Sequence, residues 1–232
     1  MALNRLDKLV KGGIPKNTLV LLEGPPGSGK TTLCGQILKD ALENGTRCVF
    51  VTTDSSPSQV LDRMAIYGWD MKAHAEKGNI QFVDCYSWRM GESDAVPNTL
   101  RVGNIGDLSD LSIKISEALN ALGEGGVVVF DTPSTLMLHS PPQAILKFLE
   151  VSFAKLKSRK ATLFVTVEKG VHDEQFAATL KYMVDGVIEL KLDEEKGALS
   201  NFLRIFTLKT ATSYERNWNK VLLMPEGLVI GG

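Results

Sequence analysis

The chain has 232 residues, of which 44% are hydrophobic and 23% charged, and its formal net charge is −1 at pH 7. This length suits a single α/β domain spanning residues 1–232. The charge balance implies no general attraction to nucleic acid or to an anionic membrane, and we expect no signal peptide and no transmembrane segment.

The first predicted elements flank a glycine-rich motif. An apolar run, Thr18–Leu22, indicates a buried strand. It leads into Gly24-Pro25-Pro26-Gly27-Ser28-Gly29-Lys30-Thr31, which reads G-x-x-x-x-G-K-[ST], the phosphate-binding loop of P-loop NTPases. A helical pattern follows, with one apolar face made of Leu33, Ile37, Leu38, Ala41 and Leu42. The strand and helix distinguish this motif from a chance match in a glycine-rich turn.

The residue types in this loop suit a nucleotide triphosphate. Main-chain amides of Gly24–Gly29 and the helix N-terminus supply donors for phosphate oxygens. Lys30 is expected to reach the β- and γ-phosphates, and the Thr31 hydroxyl to hold Mg²⁺, which prefers oxygen ligands. Thr32 is expected to pack or to bond the α-phosphate.

The next elements continue an α/β pattern. Asn44-Gly45 is typical of a helix end, and Arg47–Thr52 predicts a second strand, buried on both faces, in a parallel, right-handed βαβ unit. Ser55 or Ser56 can cap the following helix, which ends at Gly68.

A third strand is predicted over Ile80–Asp84. The polar stretch Tyr86–Asp107 is long for a loop, so we expect it to be functional or partly mobile. A helix is predicted from Leu108 to Leu122.

The run Val127–Asp131 is an apolar strand that ends in a carboxylate, the Walker B pattern. Asp131 would then lie at the carboxyl end of a parallel strand and hold Mg²⁺ through a bound water. The alternative is that Asp131 only caps the turn at Pro133–Ser134.

The remaining elements end in antiparallel strands. They are predicted as a helix around 145–156, a strand over 161–167, a helix over 173–185, strands over 186–192 and 201–209 separated by a turn at 193–197, and a hairpin over 221–230. We therefore predict an α/β fold with a mostly parallel central sheet flanked by helices and antiparallel strands at the C-terminal end.

The cysteines Cys34, Cys48 and Cys85 are isolated in apolar surroundings. They are typical of reduced core thiols in a cytoplasmic protein, not of a disulfide or zinc framework.

Several polar and aromatic residues have two interpretations. Thr166 and Glu168 end a strand and either sense the γ-phosphate or are ordinary strand-end residues. The histidines lack metal-ligand spacing and are expected at the surface: His74, His139 and His172. Trp88 and Trp218 either contact a partner or, as we favour, pack against the core or its edge.

The order of these motifs resembles the KaiC-like branch of the RecA-superfamily ATPases. The matching segments extend from Leu6-Asp7 to the end of the chain: Gly12-Gly13-Ile14-Pro15, Glu23–Leu33, Asp84–Ser87, the Asp131 strand, Val184–Leu190 and Pro225–Ile230. The resemblance implies a RecA-like core, ATP and Mg²⁺ as ligands, and a homo-oligomer such as a hexameric ring. Single-domain archaeal members of this branch include the ATP-binding component at the base of the archaellum motor, of FlaH/ArlH type.

Two departures from the family pattern concern turnover. The family usually carries one or two glutamates at the end of the second strand, where a carboxylate polarises water, and here Asp54 stands there. Asp54 is one methylene shorter and equally suits an N-cap. The family often has Lys-x-Arg on a late strand, reaching a neighbouring subunit's γ-phosphate, but Lys209 is followed by Thr210 and Ala211, with Arg216 as the nearest arginine. An absent arginine finger lowers turnover strongly in related systems.

Three functions are therefore weighed. The first is a slow Mg-ATPase whose catalytic residues are Lys30, Asp54 and Lys209; the second is a non-hydrolysing ATP switch that controls assembly with a protein partner. The third is a small-molecule kinase, which ranks last because the Tyr86–Asp107 segment has only Arg89 and Arg101 for a lid. No motif separates ATP from GTP, and DNA strand exchange is disfavoured by the charge balance.

Overall fold

The structure is a computed structural model that describes residues 6, 9–91, 96–195 and 197–231. Asp7, part of the resemblance at the start of the chain, and residues 92–95 of the long polar stretch lie outside the described residues. The helices are α1 (Lys30–Glu43), α2 (Pro57–Ala65), α3 (Met71–Glu76), α4 (Leu108–Leu122), α5 (Pro142–Ser158) and α6 (Glu174–Met183).

All strands belong to one sheet. They are β1 (Leu19–Gly24), β2 (Cys48–Thr52), β3 (Ile80–Asp84), β4 (Thr99–Arg101), β5 (Val127–Asp131), β6 (Thr162–Glu168), β7 (Gly186–Glu195), β8 (Ala198–Leu208), β9 (Asn219–Met224) and β10 (Gly227–Ile230). The order across the sheet is β10-β9-β8-β7-β1-β6-β5-β2-β3-β4. Strands β1 to β7 are mutually parallel, while β8, β9 and β10 are antiparallel to their neighbours. The predicted α/β class with antiparallel C-terminal strands is confirmed.

Helices cover both faces of the parallel strands. Alternate residues of β1 point to opposite faces, so Val20 and Leu22 join a core with α1, α2 and α3. Leu19 and Leu21 join a second core with α4, α5 and α6. Strands buried on both faces read as continuous apolar runs, which explains why β1 and β2 were recognisable in the sequence.

The strand order brings four strand ends to one edge. Strand β6 pairs with β1 so that Gly24 lies opposite Glu168, and β2 pairs with β5 so that Thr52 lies opposite Asp131. Since β6 also pairs with β5, the carboxyl ends of β1, β6, β5 and β2 are consecutive. Ligands of open α/β sheets bind at this edge.

Some sequence predictions need correction. Strands β1 and β2 are parallel, as predicted, and β6 and β5 lie between them. The turn expected over 193–197 is shorter, since β7 continues to Glu195 and pairs there with Ala198 of β8. The polar stretch Tyr86–Asp107 contains a 3₁₀ turn, Ser87–Arg89, and the short edge strand β4.

The cysteines are free and buried, as predicted. Trp88 is partly buried and packs against the core beneath α4 and α5, and half-buried Trp218 lies 4.5 Å from the Arg204 guanidinium carbon. Both contacts match the packing interpretation. Among the described residues, no helix combines the length and apolar character needed to cross a bilayer.

Candidate functional site

The glycine-rich loop connects β1 to α1 at the edge where the four strand ends meet. Gly27 and Gly29 adopt φ values of 77° and 95°, in the left-handed region that favours glycine. Gly24 has no room for a side chain, because a Cβ there would lie 2.9 Å from the main-chain oxygen of Leu190 in β7. The loop backbone therefore depends on glycine for conformation at two positions and for space at a third.

The ammonium group of Lys30 is buried against the loop itself. Its Nζ donates to the carbonyl oxygens of Gly24 at 2.8 Å and Pro25 at 2.9 Å. The third acceptor is Oε2 of Glu168, at 3.0 Å. An ammonium has three N–H donors, so these contacts account for all of them.

Thr31 and Asp131 come together as the motif predicts. The Thr31 hydroxyl donates to Oδ2 of Asp131 at 2.8 Å, and the Thr166 hydroxyl donates to Oδ1 at 2.5 Å. These neighbouring hard oxygens suit a small divalent cation such as Mg²⁺, so the residues present fit the metal that the family implies. The alternative role of Asp131 as a turn cap is wrong, because the Thr132 side chain accepts the bond from Ser134.

Burial raises the pKa of Asp131 above its ordinary value. The hydroxyls of Thr166 and Thr31 oppose this shift, and the negative charge of Asp54 adds to it. The carboxylates of Asp54 and Asp131 therefore interact electrostatically at this edge.

Asp54 is exposed just beyond the end of β2. Its Oδ1 accepts a hydrogen bond from the Thr135 hydroxyl, and the Thr53 hydroxyl lies 3.3 Å away. The alternative role of Asp54 as an N-cap is wrong, because Ser56 caps α2 and forms a capping box with Gln59. Asp54 is thus free of a helix-capping role and lies on the ligand side of the sheet.

The strand ends are tied together next to Asp131. The Thr53 hydroxyl donates to the Thr132 carbonyl at 2.8 Å and accepts from the Thr132 amide at 2.9 Å. The Thr132 hydroxyl donates to the carbonyl of Thr166 at 2.7 Å. The Asp131–Thr132 peptide bond is cis. These bonds link β2, β5 and β6 at the level of the candidate metal ligands.

A cavity of about 370 Å³ opens beside the loop. Its wall includes Gly27, the run Gly29–Thr32, the end of α2 with the residues that follow it, Glu168 and Leu223. The Thr32 hydroxyl lies 3.3 Å from the Tyr67 hydroxyl, and the Tyr67 ring stacks on Trp69 at 4.8 Å between centroids. Thr32 thus contacts Tyr67, which forms part of the cavity wall. The loop motif alone does not reveal that Tyr67 lies there.

Lys209 lies at the opposite edge of the sheet. Its Nζ donates to the carbonyl of Val184 at 2.8 Å, and its amide bonds to Asp185, whose own amide bonds to Leu19 at the start of β1. The loop begins at the other end of β1, on the order of 16 Å away. Within one chain, Lys209 is therefore separated from the loop, and Arg216 bonds only the Tyr214 hydroxyl among the described residues.

His172 differs from the surface histidine expected. Its Nε2 lies 2.8 Å from the Ser134 hydroxyl, and Ser134 accepts a 3.1 Å bond from the Glu168 amide. Burial lowers the pKa of His172. No group of three or more potential metal-binding His, Cys, Asp or Glu side chains occurs in the described part of the chain.

Known proteins are similar to this chain over most of its length. A family model described as "ATPase: KaiC" matches residues 2–231. The UPF0273 protein MK0039 of Methanopyrus kandleri is 31% identical over 216 residues, covering 91% of this chain and 84% of the relative. The UPF0273 protein PH0284 of Pyrococcus horikoshii is 29% identical over 226 residues, covering 97% and 90%.

The crystal structure of a KaiC-like protein, PH0186 of Pyrococcus horikoshii, has the same fold. It superposes with a TM-score of 0.80 at 24% identity, covering 97% of this chain and 94% of that one.

Proposed function

This chain belongs to the KaiC-like branch of the RecA-superfamily ATPases, and from that membership we propose that it binds Mg²⁺ and ATP at the Gly24–Thr31 loop and hydrolyses ATP slowly. We further propose that residues 1–232 act as a single domain and that the nucleotide state controls its assembly. The observation that carries the proposal is the 2.8 Å contact between Thr31 and Asp131, beside Lys30.

Each residue contributes a separate part of the reaction. The loop amides and the N-terminus of α1 bind the phosphates, and Lys30 neutralises negative charge on the terminal ones. Thr31 and Asp131 would hold Mg²⁺, which, when bound, neutralises phosphate charge. We infer that Asp54 accepts a proton from the attacking water, because its exposed carboxylate follows β2 on the ligand side of the sheet.

Two departures from the family pattern support slow turnover: one at Asp54 and one in the residues after Lys209. Asp54 is shorter than glutamate and exposed to solvent, so it is less restrained than a buried base. Lys209 lacks the arginine two positions later. In a ring, Lys209 would meet the nucleotide of a neighbouring subunit, which agrees with its position at the opposite edge of the sheet.

A steady-state phosphate-release assay tests the proposal. We expect slow, Mg-dependent release by the unaltered protein and none by Lys30→Ala. Lys39→Ala is the matched control, because Lys39 lies on the same helix but pairs at the surface with Glu43. Release no greater than that of Lys30→Ala would refute the ATPase proposal. Running ATP and GTP side by side identifies the base that is preferred.

The second candidate is a non-hydrolysing ATP switch that controls assembly with a protein partner. The observation that favours it is the ion pair between Lys30 and Glu168, which must rearrange when a phosphate reaches Lys30. Light scattering with and without ATP tests this function: a particle mass that changes with ATP in the unaltered protein, but not in Lys30→Ala, supports it.

The small-molecule kinase remains the weakest proposal. The Arg89 guanidinium carbon lies 5.3 Å from the Tyr86 ring centroid and 5.7 Å from that of Trp88, and Arg101 lies 3.9 Å from buried Asp84. Both arginines that a kinase lid would need therefore already contact other side chains of the same segment or of β3.

A further inference from the structure

Glu168 competes for the lysine of the phosphate loop. Its main chain is fixed beside the loop, because Glu168 is opposite Gly24 in the pairing of β6 with β1. Its carboxylate lies 3.0 Å from Nζ of Lys30, and the side chains of the two residues are 26% and 6% exposed. The pair is therefore largely shielded from water. Two charges shielded in this way interact more strongly than two charges at an exposed surface.

The remaining contacts of Lys30 are neutral carbonyl oxygens of the loop. Because all three N–H donors are used, a phosphate oxygen can bond Lys30 only by displacing one of these acceptors. Glu168 is the acceptor whose negative charge would lie next to the arriving phosphate. Two negative charges at short range repel one another, and the repulsion is stronger in a site partly shielded from water than in bulk water.

The main chain around Glu168 is held, so its side chain must move. The Glu168 amide donates to Ser134, which is in turn bonded to His172, and the Lys169 amide donates to the Gly24 carbonyl at 3.0 Å. Displacement therefore requires rotation of the Glu168 side chain away from Lys30 while β6 stays in place.

A diphosphate and a triphosphate differ in how much they need Lys30. Loop amides cradle the α- and β-phosphates, and the lysine reaches the β- and γ-phosphates. Both nucleotides therefore meet Lys30 through the β-phosphate, but only the triphosphate brings a further phosphate, with its negative charge, to Lys30 and to the Glu168 carboxylate beside it.

We propose that Glu168 is a specificity-determining residue: its carboxylate competes with the γ-phosphate for Lys30, so that the site favours nucleoside diphosphate over triphosphate. This inference rests on the proposed nucleotide-binding function and adds to it a discrimination between substrate and product. Retention of the diphosphate product then contributes to slow turnover.

Titration calorimetry with Mg²⁺ at fixed concentration tests the inference. The ligands are ADP and a non-hydrolysable ATP analogue, and the variant is Glu168→Gln, which keeps the size of the side chain and removes its charge. We expect the analogue to bind at least about tenfold more tightly than to the unaltered protein, and ADP to change less than about threefold. Glu150→Gln, an exposed position on α5, makes the same charge change and should alter neither affinity.

The outcomes separate this inference from the function beneath it. If both nucleotides bind but their affinity ratio is the same in the unaltered protein and in Glu168→Gln, the role of Glu168 is refuted and nucleotide binding stands. If neither nucleotide binds to either protein, the proposed function itself is refuted, and the inference with it. Should Glu168→Gln not fold, Glu168→Asp, whose carboxylate reaches less far towards Lys30, should shift the ratio in the same direction, and an unchanged ratio would refute the inference.

Discussion

The hydroxyl of Thr31, in the first turn of α1, donates a 2.8 Å hydrogen bond to Oδ2 of Asp131 at the end of β5. Two elements that are a hundred residues apart thus meet at one pair of oxygen atoms.

Asp131→Asn keeps the size of the side chain and removes the charge that attracts a divalent cation. We expect this variant to lose the Mg²⁺ dependence of ATP binding and to stop releasing phosphate. Calorimetry with and without Mg²⁺ measures the first effect, and Asp62→Asn, at an exposed position of α2, is the control.

The raised pKa of Asp131 predicts how metal binding responds to acid. A protonated carboxyl is a poor metal ligand, so the Mg²⁺ dependence of ATP binding should weaken at a higher pH than an ordinary aspartate would cause. The measurement is a series of Mg²⁺ titrations from pH 7 downwards. Mg²⁺ dependence that persists until the ordinary aspartate range would contradict the prediction.

The same shift has a consequence for stability. A carboxyl whose pKa is raised in the folded state stabilises the folded protein at pH values below its unfolded-state pKa. This stabilisation is lost as the pH rises through its folded-state pKa. Above its folded-state pKa, charged Asp131 therefore opposes folding, and Asp131→Asn should there melt at the same or a higher temperature in the absence of nucleotide. A lower melting temperature would mean that the bonds from Thr31 and Thr166 outweigh the cost of burying the charge.

Asp54 provides a test of how water is activated. Asp54→Asn keeps an acceptor for Thr135 but is no longer a base, so kcat should fall by about 100-fold, the lower end for loss of general base catalysis. KM should change little, because Asp54 is not part of the phosphate loop. Turnover equal to that of Asp62→Asn would show that another group activates the water.

We propose that Lys209 acts on a neighbouring subunit, because within its own chain it lies where β1 begins and the loop lies where β1 ends. Lys209→Ala alone and Lys30→Ala alone should both have low ATPase activity. A mixture should exceed the sum of the two, because a subunit with intact Lys30 can receive the intact Lys209 of its neighbour. Lys220→Ala, which removes a surface ion pair with Glu195, is the control. A mixture with only additive activity would contradict the prediction.

Gly24 is expected to tolerate no side chain. A Cβ at this position would lie 2.9 Å from the Leu190 main-chain oxygen, and overpacking of this kind costs about 1–3 kcal/mol. Gly24→Ala should lower the free energy of unfolding by that amount in urea and weaken ATP binding. Gly103→Ala is the matched control, because its nearest neighbour would be 3.8 Å away. Equal effects of the two substitutions would show that β7 moves to make room.

The phosphate loop and Asp131 were predictable from the sequence because each depends on local pattern. A strand, a glycine-rich turn and a helix are contiguous, and an apolar strand ending in aspartate needs no knowledge of its neighbours. The ends of β3 and β5 were also placed correctly, because their apolar runs stop at charged residues.

The contacts of Glu168 and His172 were not predictable, since they depend on the order of strands in the sheet. Glu168 meets Lys30 only because β6 inserts next to β1, and no local pattern determines which strand takes that place. Ser134 meets His172 for the same reason. Tyr67 lies in a turn whose direction is determined by packing of α2 against α1, and periodicity does not define that direction.

The position of β1 between β6 and β7 also matters during synthesis. During synthesis, β1 and the glycine-rich loop emerge well before β6 and β7, the two strands that flank β1. Leu228 of β10, still later, bonds through its amide to Gln36 of α1 at 3.0 Å. A nascent chain thus carries an apolar strand with both edges unpaired through most of translation. An apolar strand in that state is prone to aggregate, so we expect the growing polypeptide to need protection until β6 and β7 have been made.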